Sequence, residues 1–191
     1  MLATMSQGPG RVVTPLEGVP FAGWDSKKPI EAPLALHACM VKEEWTDYNG
    51  HMSESAYLLV FGDSSDAFFR FVGIDEAYRA SGFSLYTIDT RIRNLAELGA
   101  GDPLRLTLQL VDLDAKRLHI FHRMTHGGTG AEVAVAEQVL AHVDIRARRS
   151  TPLPPELYDR LAVIRAAHSG LTLHPMIGAP FGIAASRKGA Q

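Results

Sequence analysis

Residues 45–57 read WTDYNGHMSESAY, which places a carboxylate (Asp47), an amide (Asn49), a glycine (Gly50), an imidazole (His51) and three aromatic rings (Trp45, Tyr48, Tyr57) in one short stretch. A carboxylate at the end of a strand, just before a helix, can face a ligand that crosses the helix start and act there as general base or nucleophile. The same Asp47 can also simply close the turn through its own backbone, as aspartate commonly does. Gly50 allows backbone to approach a ligand closely. Its N–H and that of His51, lying at the positive end of a long helix, would be donors for developing negative charge. His51 polarises a carbonyl or orients Asp47, or else only packs and hydrogen-bonds the loop. Asn49 either holds Asp47 or a water, or is an ordinary turn residue. Ser53 and Glu54 read as helix-start residues, the hydroxyl accepting orphan N–H bonds and the acid suiting the positive helix end.

The elements that would position this stretch follow from periodicity. Residues 34–45 are apolar with mild alternation and read as a strand ending at the Asp47–Gly50 turn signal. A helix is expected over 54–72, where Tyr57, Leu58, Phe61, Phe68, Phe69 and Val72 recur at three- and four-residue intervals, with Gly73 at its end. A short helix covers 76–81. Four segments then alternate like strands, over 83–95, 103–113, 117–125 and 132–146, and the turns between the last three imply an antiparallel meander. PLPPELYDRLAVIRAAH, from Pro152, has proline just inside a helix start and apolar Leu157, Leu161 and Ile164, so a terminal helix is expected. Strand, long helix and four long strands make an α+β fold in which a sheet wraps one central helix. The expected organisation is an irregular, Gly- and Pro-rich arm over 1–32, one domain over 33–150, and a helix and tail over 151–191.

Composition narrows the classes. A chain of 191 residues, 46% hydrophobic and 21% charged, suits one well-cored domain. A net charge of −2 with scattered basic residues, apart from the Arg146, Arg148, Arg149 run, argues against nucleic acid as a partner. The lone Cys39 cannot form an internal disulfide and, among Ala38, Met40 and Val41, reads as a buried thiol in a cytoplasmic protein rather than a nucleophile. Neither a secretory signal nor an 18-residue apolar run is apparent, so no membrane partner is expected. A serine triad lacks its Gly-x-Ser-x-Gly elbow, and dinucleotide binding lacks Gly-x-Gly-x-x-Gly. His119, His122 and His126 have helical spacing in a stretch that reads as strand, where His119 and His122 point to opposite faces, so no metal site is expected.

The order of elements, with Asp47, Gly50, His51 and Met52 as an Asp-x-x-Gly-His-Met turn, resembles the hot-dog fold thioesterases of the 4-hydroxybenzoyl-CoA thioesterase type over residues 34–146. Ser53 stands where that motif often has Asn. The strings EWTDYNGHMSESAYLLVFGDSSDAFFRFVG, YTIDTRIRNLAELGAGD and KRLHIFHRM are similar, more narrowly, to betainyl-CoA thioesterases of carnitine breakdown, a domain also found fused to L-carnitine dehydrogenases. No dehydrogenase portion is expected in this chain. The resemblance implies hydrolysis of an acyl-CoA thioester, with Asp47 promoting attack and the Gly50 and His51 amides steadying the oxyanion. It implies no cofactor, coenzyme A being part of the substrate, and a homodimer or dimer of dimers with sites at the junction.

A betainyl group ends in trimethylammonium, which proteins hold with aromatic faces. Trp45, Tyr48, Tyr57, Phe61 and Tyr86 are the candidate rings, helped by Asp89 or Glu97, although rings at helical spacing such as Tyr57 and Phe61 are commonly core. Coenzyme A phosphates prefer basic groups, for which Arg91, Arg93, Lys116, Arg117 and Arg123 are candidates. Two rival readings remain: an acyl-CoA hydratase or dehydratase using His51 with Asp47, and a non-catalytic acyl-CoA binding module.

Overall fold

A computed structural model describes residues 14–182. The expected arm therefore lies partly outside the described residues, over 1–13. The elements are β1 (Leu34–Met40), a 3₁₀ turn (Glu43–Trp45), α1 (Glu54–Phe71), α2 (Glu76–Ala80), β2 (Phe83–Asn94), β3 (Pro103–Leu113), β4 (Arg117–His126), β5 (Glu132–Asp144), β6 (Arg149–Ser150) and α3 (Pro155–His168). All long strands belong to one antiparallel sheet of order β1-β3-β4-β5-β2, with β6 paired to β5. The meander β3-β4-β5 is as the turns imply.

The sheet curls around α1. Its concave face supplies Leu104, Leu106, Leu118, Ile120 and Leu140, and α1 supplies Val60, Phe61, Phe68 and Val72, all buried. Leu58, expected on that face, is instead half exposed. The helix is covered on more sides than one stripe, so its polar residues Asp63, Ser64, Ser65, Asp66 and Arg70 are also buried. Each needs partners, because an unpaired polar group in the interior is destabilising. Arg70 Nε donates to Asp66 at 2.9 Å and Nη2 to Glu76 at 2.7 Å, tying α1 to α2. α1 ends in a Schellman closure, with Ile74 N–H donating to Phe69 O and Gly73 N–H to Arg70 O while Gly73 takes φ +91°.

The expected strand over 34–45 stops at Met40; Val41 is buried and Trp45 half buried, but a 3₁₀ turn carries the latter. α3 buries Leu157, Leu161 and Ile164 beside the C-terminal half of α1. His168 fixes its end: Leu110 N–H, freed by a bulge in β3, donates to Nδ1 at 2.9 Å, and Nε2 lies 3.0 Å from Glu31 O. The following segment crosses the convex face of the sheet, where the His174 ring stacks on Phe121 at 4.9 Å. Residues 14–33 have no helix or strand and lie against α1, with Trp24 N–H donating to Phe71 O at 2.7 Å and Thr14 Oγ1 to Asp66 at 2.6 Å.

Between α1 and the sheet sits a buried polar cluster. Ser64 Oγ is 3.2 Å from His122 Nδ1, Ser65 Oγ donates to Gln138 Oε1 at 2.9 Å, and His122 Nε2 is 3.2 Å from that same Oε1. A neutral imidazole with its proton on Nε2, donating to Gln138 and accepting from Ser64 through Nδ1, satisfies these contacts. Burial lowers His122 from its ordinary 6.5 to about 4, with the Gln138 bond opposing in part. Unfolded chain therefore takes up a proton below pH 6.5 that the folded chain refuses until near pH 4, so this group's stabilisation is complete above 6.5 and is lost as pH falls through that window. Relative to His122→Gln, the wild type should lose roughly 3 kcal/mol between pH 7 and 4. Denaturant midpoints at each pH measure this. Comparing the two proteins cancels the opposite drift of Asp63, whose raised carboxyl stabilises on acidification; parallel curves would refute the assignment.

Candidate active site

The loop between the 3₁₀ turn and α1 is a small, closed unit. Asp47 N–H donates to His51 O at 2.9 Å, Gly50 N–H to Asp47 O at 2.9 Å, and Ser53 N–H to Trp45 O at 2.9 Å. Thr46 and Met52 form a β-bridge across it. Asp47 Oδ1 accepts the Asn49 N–H at 2.8 Å, and Oδ2 lies 3.5 Å from Asn49 Nδ2. Asp47 thus closes its turn as an Asx residue does, while its side chain stays exposed. One carboxylate both shapes the loop and faces solvent.

Two expectations are corrected by this geometry. Gly50 N–H is engaged by Asp47 O, so it is not an open donor; His51 N–H has no partner among the described residues, and in the first turn of α1 Ala56 N–H donates to Ser53 O while the Glu54 and Ser55 N–H groups have no backbone acceptor among the described residues. Ser53 is the N-cap residue, yet its hydroxyl makes no capping bond and sits 3.2 Å from Ser55 Oγ.

Opposite the loop stands the segment leaving β2. Met52 N–H donates to Leu98 O at 2.7 Å, and the Tyr57 hydroxyl donates to Ala96 O at 3.2 Å. Burial first, then the Glu97 charge, raise the Tyr57 hydroxyl above its ordinary value. His51 Nε2 lies 3.5 Å from Glu97 Oε2. Together these walls enclose an open pocket of about 370 Å³ lined by Asp47, Asn49, His51, Tyr57, Asn94 and Glu97, with Met52, Leu95 and Ala96 between them. Asn94 and Leu95 end the segment expected as a strand over 83–95, and Ala96 lies just beyond it; as pocket residues none of the three is marked by residue type or spacing.

The candidate rings do not converge. Tyr57 alone lines the pocket. Tyr48 projects from the turn, 97% exposed. Trp45 is covered by Lys42, whose Nζ sits 5.0 Å from the ring centroid. Phe61 is wholly buried, its ring 5.8 Å from His122, because it shares the helical face that meets the sheet. Tyr86 lies elsewhere, in a cavity of about 1050 Å³ with Ile88, Lys116, Arg117, Arg148 and Arg149. Arg148 and Arg149 were read only as part of a short basic run.

Of the basic candidates, most are already held by their own chain. Arg91 donates to Ala179 O and lies 3.7 Å from Glu137, and Arg93 donates to Pro180 O at 3.3 Å, so both pin the tail on the convex face. Arg117 pairs with Asp114 at 2.7 Å and Arg123 with Glu132 at 2.5 Å. Lys116 lines the large cavity. His119 meets Glu137 at 2.9 Å on the convex side while His122 faces α1, so the two imidazoles do point to opposite faces.

Two further titratable groups lie apart from the pocket. Burial, then nearby Asp66, push the Asp63 carboxyl up to about 6, with Lys42 opposing. Burial, with Asp63 adding to it, pushes the Cys39 thiol up to about 11, which keeps it protonated and a poor nucleophile.

Gly50 holds φ +77°, and a Cβ there would meet nothing within 4 Å. Gly50→Ala is therefore strained by backbone conformation alone, at about 1 kcal/mol, which lowers Tm by roughly 2–4 °C in a chain of this size. Gly50→Asn should recover part of that, since asparagine tolerates this region; equal losses in a calorimetric scan would point to a steric cause instead.

A model of the thioesterase-like superfamily matches residues 41–161. The L-carnitine dehydrogenase/betainyl-CoA thioesterase of Rhizobium meliloti (strain 1021) is 43% identical over 151 residues, which is 78% of this chain and 30% of that protein, so the chain corresponds to less than a third of that relative's length. The betainyl-CoA thioesterase of Pseudomonas aeruginosa is 36% identical over 151 residues, 78% of this chain and 95% of that protein. Among solved structures, a Staphylococcus aureus protein in complex with CoA is similar with a TM-score of 0.74 and 25% identity, covering 82% of this chain and 99% of that one.

Proposed function

The chain belongs to the thioesterase-like superfamily, and on that footing we propose that it is an acyl-CoA thioesterase whose substrate is betainyl-CoA. The observation that carries the reading is an exposed Asp47 carboxylate on a hydrogen-bonded turn at the start of α1, inside a pocket with His51 and Asn49, in a chain matching nearly the whole length of a protein named for that activity. The L-carnitine dehydrogenase joined to the matching region in the Rhizobium relative supports a role in carnitine breakdown.

Water and the thioester give a carboxylate and free coenzyme A. Asp47 delivers the attack on the carbonyl carbon, itself or through a water it deprotonates. As the carbonyl oxygen gains charge, the His51 N–H and the positive end of α1 stabilise it. No resident cofactor is required, since coenzyme A arrives with the substrate. A cytoplasmic location accords with such a substrate and with the single thiol of Cys39. Among the described residues, no helix is long and apolar enough to cross a membrane.

A second copy of the chain is part of the proposal. β2 is an edge of the sheet, twelve residues long, with Tyr86, Thr87, Ile88 and Asp89 exposed in succession. Such an edge is a template for pairing with another strand. Antiparallel pairing of two β2 strands would set the Asn94 end of each, beside its pocket, against the Phe83 end of the other and so bring groups from a second chain to each site.

Two experiments test these statements. Asp47→Asn keeps the oxygen that accepts the Asn49 N–H, so the turn and the circular dichroism spectrum should persist while thiol release from betainyl-CoA falls at least about 100-fold; near-full turnover in that variant would overturn the role of Asp47. Light scattering should give a mass of twice the chain or a multiple of that, and Ile88→Lys, which places a charge on the edge, should shift the protein toward monomer with reduced turnover. A fully active wild-type monomer would remove the second copy from the proposal.

A further inference from the structure

Charge is divided unevenly between the turn pocket and the large cavity. The pocket at the turn is lined by the carboxylates of Asp47 and Glu97 and by neither lysine nor arginine, whereas the large cavity, which takes in Tyr86 and Ile88 of β2, is lined by Lys116, Arg117, Arg148 and Arg149 against Asp114 and Asp144, an excess of positive charge. An anionic coenzyme A handle is therefore repelled from the turn pocket, and a cationic group is drawn into it.

Glu97 is the residue best placed to act on that group. The segment carrying it is fixed on every side: Leu95 and Ala96 N–H donate to Val133 O at 2.9 and 3.1 Å, Leu98 O accepts from Met52 N–H at 2.7 Å, and Ala96 O accepts from the Tyr57 hydroxyl at 3.2 Å. Its side chain remains 79% exposed, and the positively chargeable group beside it is His51, at 3.5 Å. Asp47, by contrast, is bonded into its turn and faces the carbonyl in the proposed reaction.

Resting on the betainyl-CoA reading, we infer that Glu97 is the specificity-determining residue, the counter-charge that selects a cationic acyl group, and that the His51 imidazole occupies its place in the free pocket. An exposed ion pair is weak in water. Entry of the substrate displaces solvent from between the Glu97 carboxylate and the ammonium, and the attraction grows as the local dielectric falls. Tyr57, from the start of α1, also lines the pocket and is tied to the Glu97 segment through its hydroxyl on Ala96 O.

The test uses two thioesters of the same shape: betainyl-CoA and 3,3-dimethylbutyryl-CoA, in which carbon replaces the ammonium nitrogen. The readout is the ratio of their kcat/KM values in the wild type, Glu97→Gln and Glu97→Asp. Glu97→Gln should lower the ratio about tenfold, the size of discrimination that one contact commonly provides, and Glu97→Asp should restore most of it. A merely structural role would depress both substrates together and leave the ratio unchanged, which would overturn the inference while betainyl-CoA hydrolysis stands. A wild type that turns over neither thioester, or that prefers the neutral one, overturns the betainyl reading and the role of Glu97 with it.

Discussion

The contact of Ser64 and Ser65 with His122 and Gln138 decides where α1 lies on the sheet, and the site depends on that placement. Apolar packing alone is tolerant of small slides, because burial is non-directional. A buried network is not, since a displacement of about 1 Å would leave several polar groups unpaired. With α1 fixed in rotation and depth, its first turn arrives at a defined height above β2, and the Tyr57 hydroxyl meets Ala96 O. The loop and the β2 exit are thereby held as opposite walls of one pocket.

Within that pocket, the residue that holds the turn is also the one to which the proposed mechanism assigns the attack. Asp47 holds the turn through Oδ1 and the backbone, so its carboxylate is oriented without help from a second acidic or basic group. The Asp47 carbonyl occupies Gly50 N–H, so the proposed mechanism turns to His51 N–H and the start of α1 for an oxyanion. Preorganised donors of this kind act without rearranging during the reaction.

Much of this was legible in the chain. The limits of α1, β3 and the meander follow from period and turn residues, and the stretch 45–57 reads correctly as turn and helix start. What escaped was decided by residues distant in sequence. Tyr57 and Phe61 have the same helical spacing, but an acceptor at Ala96 draws one to the pocket edge while His122 and the sheet enclose the other. Arg91 and Arg93 look like free surface cations until a tail without periodicity places Ala179 O and Pro180 O against them. Leu58 fits the apolar face by spacing yet is half exposed, while Ser64 and Ser65, polar by type, are buried against the imidazole of β4. Period reports the tendency to be buried; it does not report which partner a buried group will find.

The sparse donor set is consistent with the proposed substrate. In a betainyl thioester the ammonium sits one carbon from the carbonyl and withdraws electron density from it, so the carbonyl carbon is already activated toward attack. The same cation lies close enough to stabilise the developing oxyanion through space, a contribution that an unsubstituted acyl chain must obtain from the protein. A site with one open loop N–H and a helix terminus can then serve where a neutral acyl group would call for a fuller oxyanion hole. On this argument Glu97 has a bounded role. It must be near enough to recognise the ammonium, yet on the wall opposite Asp47 and the donors, so that its negative charge does not cancel the assistance the cation gives to the carbonyl. In the pocket Asp47 is carried by the turn and Glu97 by the segment leaving β2, with Glu97 Oε2 3.5 Å from the His51 imidazole.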